Sequence, residues 1–303
     1  MLLCNLAFPW WKANAKTMAL ISRGSIAYDF HENTFKGAFM YKRYALSLSV
    51  LMLASAASAQ EIKPVYEIGA EIYHEDYKST LKSGRTFMKE KATMYGINGT
   101  IGAIRGQHGL KLTGRYAQGK SDHTGSLSGV FGTLKGDGLD RRSFEIRGIY
   151  EYTMPFPDFD LVPSVGLGYR YLLNRLDQMP LGDERKDGYI FLPLGLEATF
   201  RPSDKLRITP KFGYNYLIEG KQETYYQVEN APSKKKQKSG NGFEISAAFA
   251  YTLENNSVVR ITPFYRYWDI DHSETVRKPL SNALIYDPKN KTDEFGINVT
   301  YAF

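Results

Sequence analysis

Cysteine is almost missing from this 303-residue sequence: the only one, Cys4, lies near the amino terminus. That excludes a disulfide framework, thiolate metal ligands and a cysteine nucleophile from the bulk of the chain. Beyond residue 59 there is no long apolar run. A membrane-spanning helix needs roughly 20 consecutive apolar residues, so a helical membrane protein is excluded as well. GxSxG, HExxH, P-loop and dinucleotide fingerprints are absent, and no cofactor is expected. An excess of one charge is also lacking. From Gln60 onward, 33 Lys and Arg stand against 30 Asp and Glu, a net charge of +3, although the whole chain carries +7. These charges interleave instead of forming a basic face, so nucleic acid is not an expected partner.

The first thing present is an export signal. From Met40 the chain reads MYKRYALSLSVLMLASAASAQ. Lys42 and Arg43 form a charged start, residues 45–54 a short apolar core, and Ala57-Ser58-Ala59 a small-x-small cleavage site. This is the pattern of a secretory signal peptide over 40–59, cut before Gln60. Residues 1–39 fit no export signal. They are read as an upstream in-frame extension outside the native product, with an unusually long leader as the alternative. The mature part, 60–303, suits one domain.

Within that part the hydrophobic period is two almost throughout. Ten segments show it: 66–72, 95–103, 110–116, 144–152, 165–171, 190–200, 206–216, 243–251, 259–267 and 295–303. A soluble sandwich alternates too, with its apolar phase inward. Connection lengths argue for the opposite phase. Long polar gaps at about 76–87, 118–141, 174–187, 219–241 and 269–291 alternate with short ones, as long outer loops alternate with short periplasmic turns in outer-membrane barrels. Aromatic residues also gather at both ends of the apolar phase. Tyr116, Tyr169, Tyr171, Tyr214, Tyr216, Tyr265 and Tyr267 lie at one end, and Tyr150, Tyr152, Phe200, Tyr251, Tyr301 and Phe303 at the other. Two such rings suit the two membrane interfaces. The expected fold is all-β: a transmembrane antiparallel up-and-down β-barrel of ten strands, with eight or twelve as alternatives. Pro163, Pro193, Pro210 and Pro263 fall inside strands and oppose a closed sheet; Pro193, the deepest, is expected at a bulge.

The last strand closes on Phe303, with Tyr301, Val299 and Ile297 in its phase. This resembles the assembly signal of bacterial outer-membrane β-barrel proteins. The segment LVPSVGLGYRY (161–171) resembles a strand recurrent in small porin-like barrels. The resemblance implies residence in the outer membrane, contact with its lipid and lipopolysaccharide, and the barrel assembly machinery as a partner during biogenesis.

Charge-bearing residues then fall into three groups. Glu67, Glu71, Arg207, Lys211, Arg260 and Arg266 belong to the phase facing the lumen. Buried charges must pair or stay hydrated. They could form an ion-pair network that fills the barrel, as is common in small barrels, or line a hydrated pore whose basic stripe favours anions. Asp269, Asp271 and His272, with Glu75 and Asp76, are expected on one outer rim. That rim is similar to the acid-and-histidine mouth of the omptin outer-membrane proteases, which also have ten strands. Asp271-His272 lacks their Asp-x-His spacing, so no catalytic residue is assigned, and no metal site either. Lys234, Lys235, Lys236 and Lys238 form a basic run in an expected outer loop. It could attract phosphates or acidic glycans, although such runs are usually only solvated. The leading functional expectation is a non-enzymatic small-solute channel or structural envelope barrel. A surface adhesin or ligand-binding barrel acting through its outer loops is the alternative, with an outer-membrane hydrolase behind both.

Overall fold

A computed structural model describes residues 61–303, apart from 128, 228–230 and 279. The upstream extension, the signal peptide and its cleavage site lie outside the described residues.

Ten antiparallel strands form one closed sheet. In chain order they are β1 (Ile62–Thr80), β2 (Thr86–Arg105), β3 (His108–Leu127), β4 (Val130–Tyr152), β5 (Phe159–Arg175), β6 (Glu184–Phe200), β7 (Leu206–Tyr226), β8 (Ala231–Gln237 continuing as Gly240–Thr252), β9 (Val258–Ile270) and β10 (Lys289–Ala302). Each pairs with the next, and β10 returns to β1 from Glu67↔Ala302 to Thr80↔Lys289. Closure leaves no free sheet edge around the lipid-facing part of the barrel. Besides the barrel there is one 3-10 turn (Leu176–Gln178), a two-residue strand (Met154–Pro155) and a small hairpin (Val276–Arg277 with Leu284–Ile285). No described helix is long and apolar enough to cross a membrane.

The phase expectation holds. On β1, Ile68 and Ile72 are exposed whereas Glu71, Tyr73 and Glu75 are buried in the lumen. Around the outside, Ile68, Ile97, Leu112, Leu167, Phe212, Ile261 and Ile297 stand open, Ile97 at 66% exposure. A water-soluble protein rarely carries so large a contiguous apolar surface. In lipid it is the satisfied face.

The prolines are accommodated by local gaps in the hydrogen-bond ladder. Each lacks an N–H donor. On the side where that donor would be needed, pairing is interrupted. The β5–β6 ladder jumps from Val165↔Leu194 to Gly168↔Phe191, leaving out Leu192 and Pro193. The β6–β7 ladder jumps from Glu197↔Lys211 to Phe200↔Ile208 past Pro210, and β8–β9 from Ser246↔Phe264 to Phe249↔Ile261 past Pro263. Pro163 lies beyond the last β4–β5 pair, Glu151↔Ser164. The expected bulge at Pro193 is therefore corrected to a ladder gap; the bulge itself lies between Ile190 and Phe191, opposite Ile218 of β7.

The long outer gaps are corrected too. Most of their residues continue the strands. The β1–β2 connection is only residues 81–85, and the β3–β4 ladder persists to Leu127↔Val130. At about 3.3 Å per residue, a strand such as β4, with its 23 residues, is about 76 Å long, far more than an apolar band about 25 Å tall requires even when tilted. The barrel wall therefore continues outward beyond the lipid-facing belt.

Candidate functional site

The lumen is where the unusual chemistry lies, and it has three levels. The lowest lies at the end with the short turns and with both ends of the described residues, the periplasmic end in this architecture. Here a cavity of about 560 Å³ is lined by charged and hydroxyl side chains. Lys111 meets Glu151 at 2.7 Å, Arg260 meets Glu67 at 3.0 Å, and Lys211 meets Glu197 at 3.3 Å and Glu244 at 3.7 Å. Arg207 also lines this cavity and has no ion-pair partner among the described residues.

Above it, the lumen is filled. Arg115 contacts Glu71, Glu145 and Glu294 at 3.3, 3.4 and 3.5 Å. Arg147 bridges Glu145 (2.6 Å) and Glu244 (2.9 Å), and Arg266 bridges Glu71 (3.2 Å) and Glu294 (3.0 Å). Arg170 completes the set at 2.5 Å from Glu294. Burial alone would make each charge costly, so only a mutually paired network is tenable here. Aromatic rings cap the guanidinium faces. Arg170 lies 5.1 Å from the Trp268 ring, Arg147 5.3 Å from Phe191 and Arg266 3.9 Å from Phe264. Trp268 meets Phe191 edge-on at 5.1 Å, and Leu172, Tyr189, Leu217 and Ile270 pack with them. Gly168 makes this possible: a Cβ there would stand 2.3 Å from Phe191 Cζ.

The third level lies within the outward extension. Arg141 is clamped between Glu75, Asn174 and Glu90, the last at 3.0 Å, and Glu90 also holds His123 at 3.1 Å. On the facing wall Arg185 pairs with Asp287, and Lys235 donates to Gln222 Oε1 (2.6 Å) and Thr224 Oγ1 (3.2 Å).

Of the expected lumen charges, Glu67, Glu71, Lys211, Arg260 and Arg266 all face inward and all are paired. They do not form a free basic stripe; only Arg207 is left over. The outer-rim group is brought together only in part. Glu75 points into the lumen, while Asp76 faces outward to Lys91 at 3.6 Å. Asp269 and Asp271 both bind Lys289 Nζ at 2.9 Å, and His272 Nδ1 accepts the Lys289 backbone N–H at 2.8 Å. Burial and the nearby Lys82 charge lower the pKa of His272. Among the described residues no cluster of three or more His, Cys, Asp and Glu could hold a metal ion. The lysine run is corrected as well. Lys234, Lys235 and Lys236 lie on β8, not in a loop, so alternation splits them. Lys235 is buried, while Lys234 and Lys236 face outward to Glu223 (3.6 Å) and Glu219 (3.9 Å). The plug residues Trp268, Phe191 and Tyr73, and the Arg141 and Arg185 clusters, escaped the sequence reading. Their signal was the continuation of the lumen phase past the aromatic ring.

The chain superposes on the outer membrane protease OmpT from Escherichia coli with a TM-score of 0.56 at 13% identity, covering 80% of this chain and 96% of that one. The fold is that of a bacterial outer-membrane β-barrel. At that identity the likeness speaks to the fold alone. Other outer-membrane barrels match at lower scores. OprG from Pseudomonas aeruginosa gives 0.35 at 12% identity, covering 80% and 98%. The attachment invasion locus protein Ail of Yersinia pestis gives 0.28 at 9% identity, covering 78% and 98%. No protein-family profile matches the chain, and no curated protein does.

Proposed function

We propose that this barrel is a non-enzymatic structural protein of the outer membrane, closed to ions at rest, with its outward-extended wall as its working surface. The carrying observation is the filled middle of the lumen, where Arg170, Glu294 and Trp268 meet. Interlocked ion pairs backed by aromatic rings crowd this level of the lumen, which supports the structural form of the expectation over an open channel. The exposed apolar belt supports contact with membrane lipid, and the terminal Phe303 supports recognition by the assembly machinery. The acids that would have to serve a hydrolase are held by Lys289 and Lys91. Planar-bilayer recording tests the reading. The wild-type protein is expected to stay silent at moderate voltage, whereas Trp268→Ala combined with Arg170→Ala conducts. Steady single-channel steps from the wild type would overturn it.

The second reading is a surface-binding barrel. The continuation of β3 and β4 to the Leu127↔Val130 pair favours it, because a stiff wall beyond the lipid presents a preorganised surface.

A further inference from the structure

Of the cations that line the periplasm-facing cavity, one, at its exposed end, has no ion-pair partner among the described residues. Seven carboxylates and eight basic side chains line it. Seven of the bases have an acid within 4 Å: Lys111, Arg115, Arg147, Arg201, Lys211, Arg260 and Arg266. The eighth is Arg207.

Its surroundings are set by strand register. Arg207 of β7 pairs with Ala250 of β8, Ala250 with Arg260 of β9, and Arg260 with Thr300 of β10. The four therefore form one transverse row, and all four line the cavity. Neighbouring strands lie about 4.8 Å apart, which places the two arginine backbones about 10 Å from each other. Between them stands only the methyl group of Ala250. Two long guanidinium side chains flanking so small a residue can close on one group. Arg260 commits one nitrogen to Glu67, and a guanidinium has five N–H donors in a planar fork. At the end of the row Thr300 is 7% exposed, and its hydroxyl has no hydrogen-bond partner among the described residues. A buried hydroxyl without a partner is uncommon enough to ask what would satisfy it.

We propose that this row is a binding site for a small oxyanion, a mono- or dianion bearing a carboxylate or phosphate group, entering from the periplasmic side. Arg207 supplies the uncompensated charge and a bidentate fork, Arg260 a second fork, Ala250 the space and Thr300 a hydroxyl donor. The cavity volume is in the range of small-molecule sites. This goes beyond the closed-lumen reading and is independent of it, since binding is read without conductance.

The test is titration calorimetry on the protein purified from outer membranes in a zwitterionic detergent at low salt, with inorganic phosphate and succinate as probes and glycerol as the neutral control. One site is expected for at least one anion, weakening as salt rises, and none for glycerol. Phosphate alone, or succinate alone, identifies which oxyanion the row prefers. Arg207→Gln is expected to weaken binding at least tenfold. Because Arg207 makes no ion pair, the variant should keep its gel shift on boiling. Ala250→Leu should weaken binding comparably by filling the row, while Lys89→Gln, on the outer face of β2 and away from the cavity, should leave it unchanged. No binding of either anion by the wild type, or full binding by Arg207→Gln, would overturn the proposal.

Discussion

Arg170 and Glu294 join opposite walls of the barrel. They stand on β5 and β10, five strands apart in a ring of ten, and their side chains meet at 2.5 Å across the lumen. The contact is a strut, and the Trp268 ring lies against the same guanidinium.

Removing one end of the strut should be costly. Arg170→Met leaves Glu294 with Arg115 and Arg266, so the loss should fall near the low end of the range for broken buried pairs, about 3 kcal/mol. The midpoint of urea unfolding in detergent measures it. The double variant Arg170→Met, Glu294→Gln should recover part of the loss. A double variant as unstable as the sum of the two single variants would mean that the residues do not act as a pair.

Trp268 is the only tryptophan after residue 11, and it is 1% exposed. Its emission should be blue-shifted in the folded barrel and resist quenching by acrylamide. Red-shifted, freely quenched emission would show a hydrated lumen at this level.

The outward extension should respond to pH. Asp187 lies there, level with the outward-facing Lys186 and Lys221. Burial, reinforced by the Asp287 charge, pushes its carboxyl up to about 6. An acid raised in the folded state favours the protonated form. Its stabilising effect is therefore complete below about pH 4 and lost as pH rises to about 6, worth up to about 3 kcal/mol. Lys235, lowered to about 8 by burial, acts in the other direction: stability returns as pH climbs from about 8 towards its unfolded value. Protection factors in the outer β5–β6 and β7–β8 hairpins, corrected for the intrinsic pH dependence of amide exchange, should be higher at pH 4 than at pH 7. In Asp187→Asn that difference should disappear.

On the lipid side, Ile97→Lys puts a charge in the apolar belt and should cost about 2–4 kcal/mol if Ile97 sits near the bilayer midplane. Lys89→Ile, on the same face of β2 but in the outward extension, should change stability by less than about 0.5 kcal/mol. Equal effects at the two positions would contradict the placement of the belt.

The sequence was most legible where lipid imposes the strictest demand. Ile68, Ile97 and Ile297 alternate with polar lumen residues, because any other order would expose charge to hydrocarbon. Past the aromatic ring that demand disappears. The outer face becomes polar, as at Asp76, Lys78, Lys89 and Lys91, and the inner face becomes mixed, as at Tyr73, Glu75 and Tyr77. The two-residue hydrophobic period then vanishes although the strand does not, which is why these stretches read as loops and Lys234–236 as one patch. The inward position of Glu71 or Arg266 could be read from phase alone. Which acid meets which base could not, because it depends on contacts between residues as much as 195 positions apart, and the isolation of Arg207 is visible only after every other described cation lining the cavity has found its partner.

The continuation of the strands beyond the belt also determines what an external recogniser can read. Adjacent side chains on that wall come from different parts of the chain, as Asp269 beside Lys289 and Lys291 illustrates. Antibodies or phage that grip this surface would therefore recognise discontinuous epitopes, and short synthetic peptides copied from any one outer hairpin should fail to compete for them.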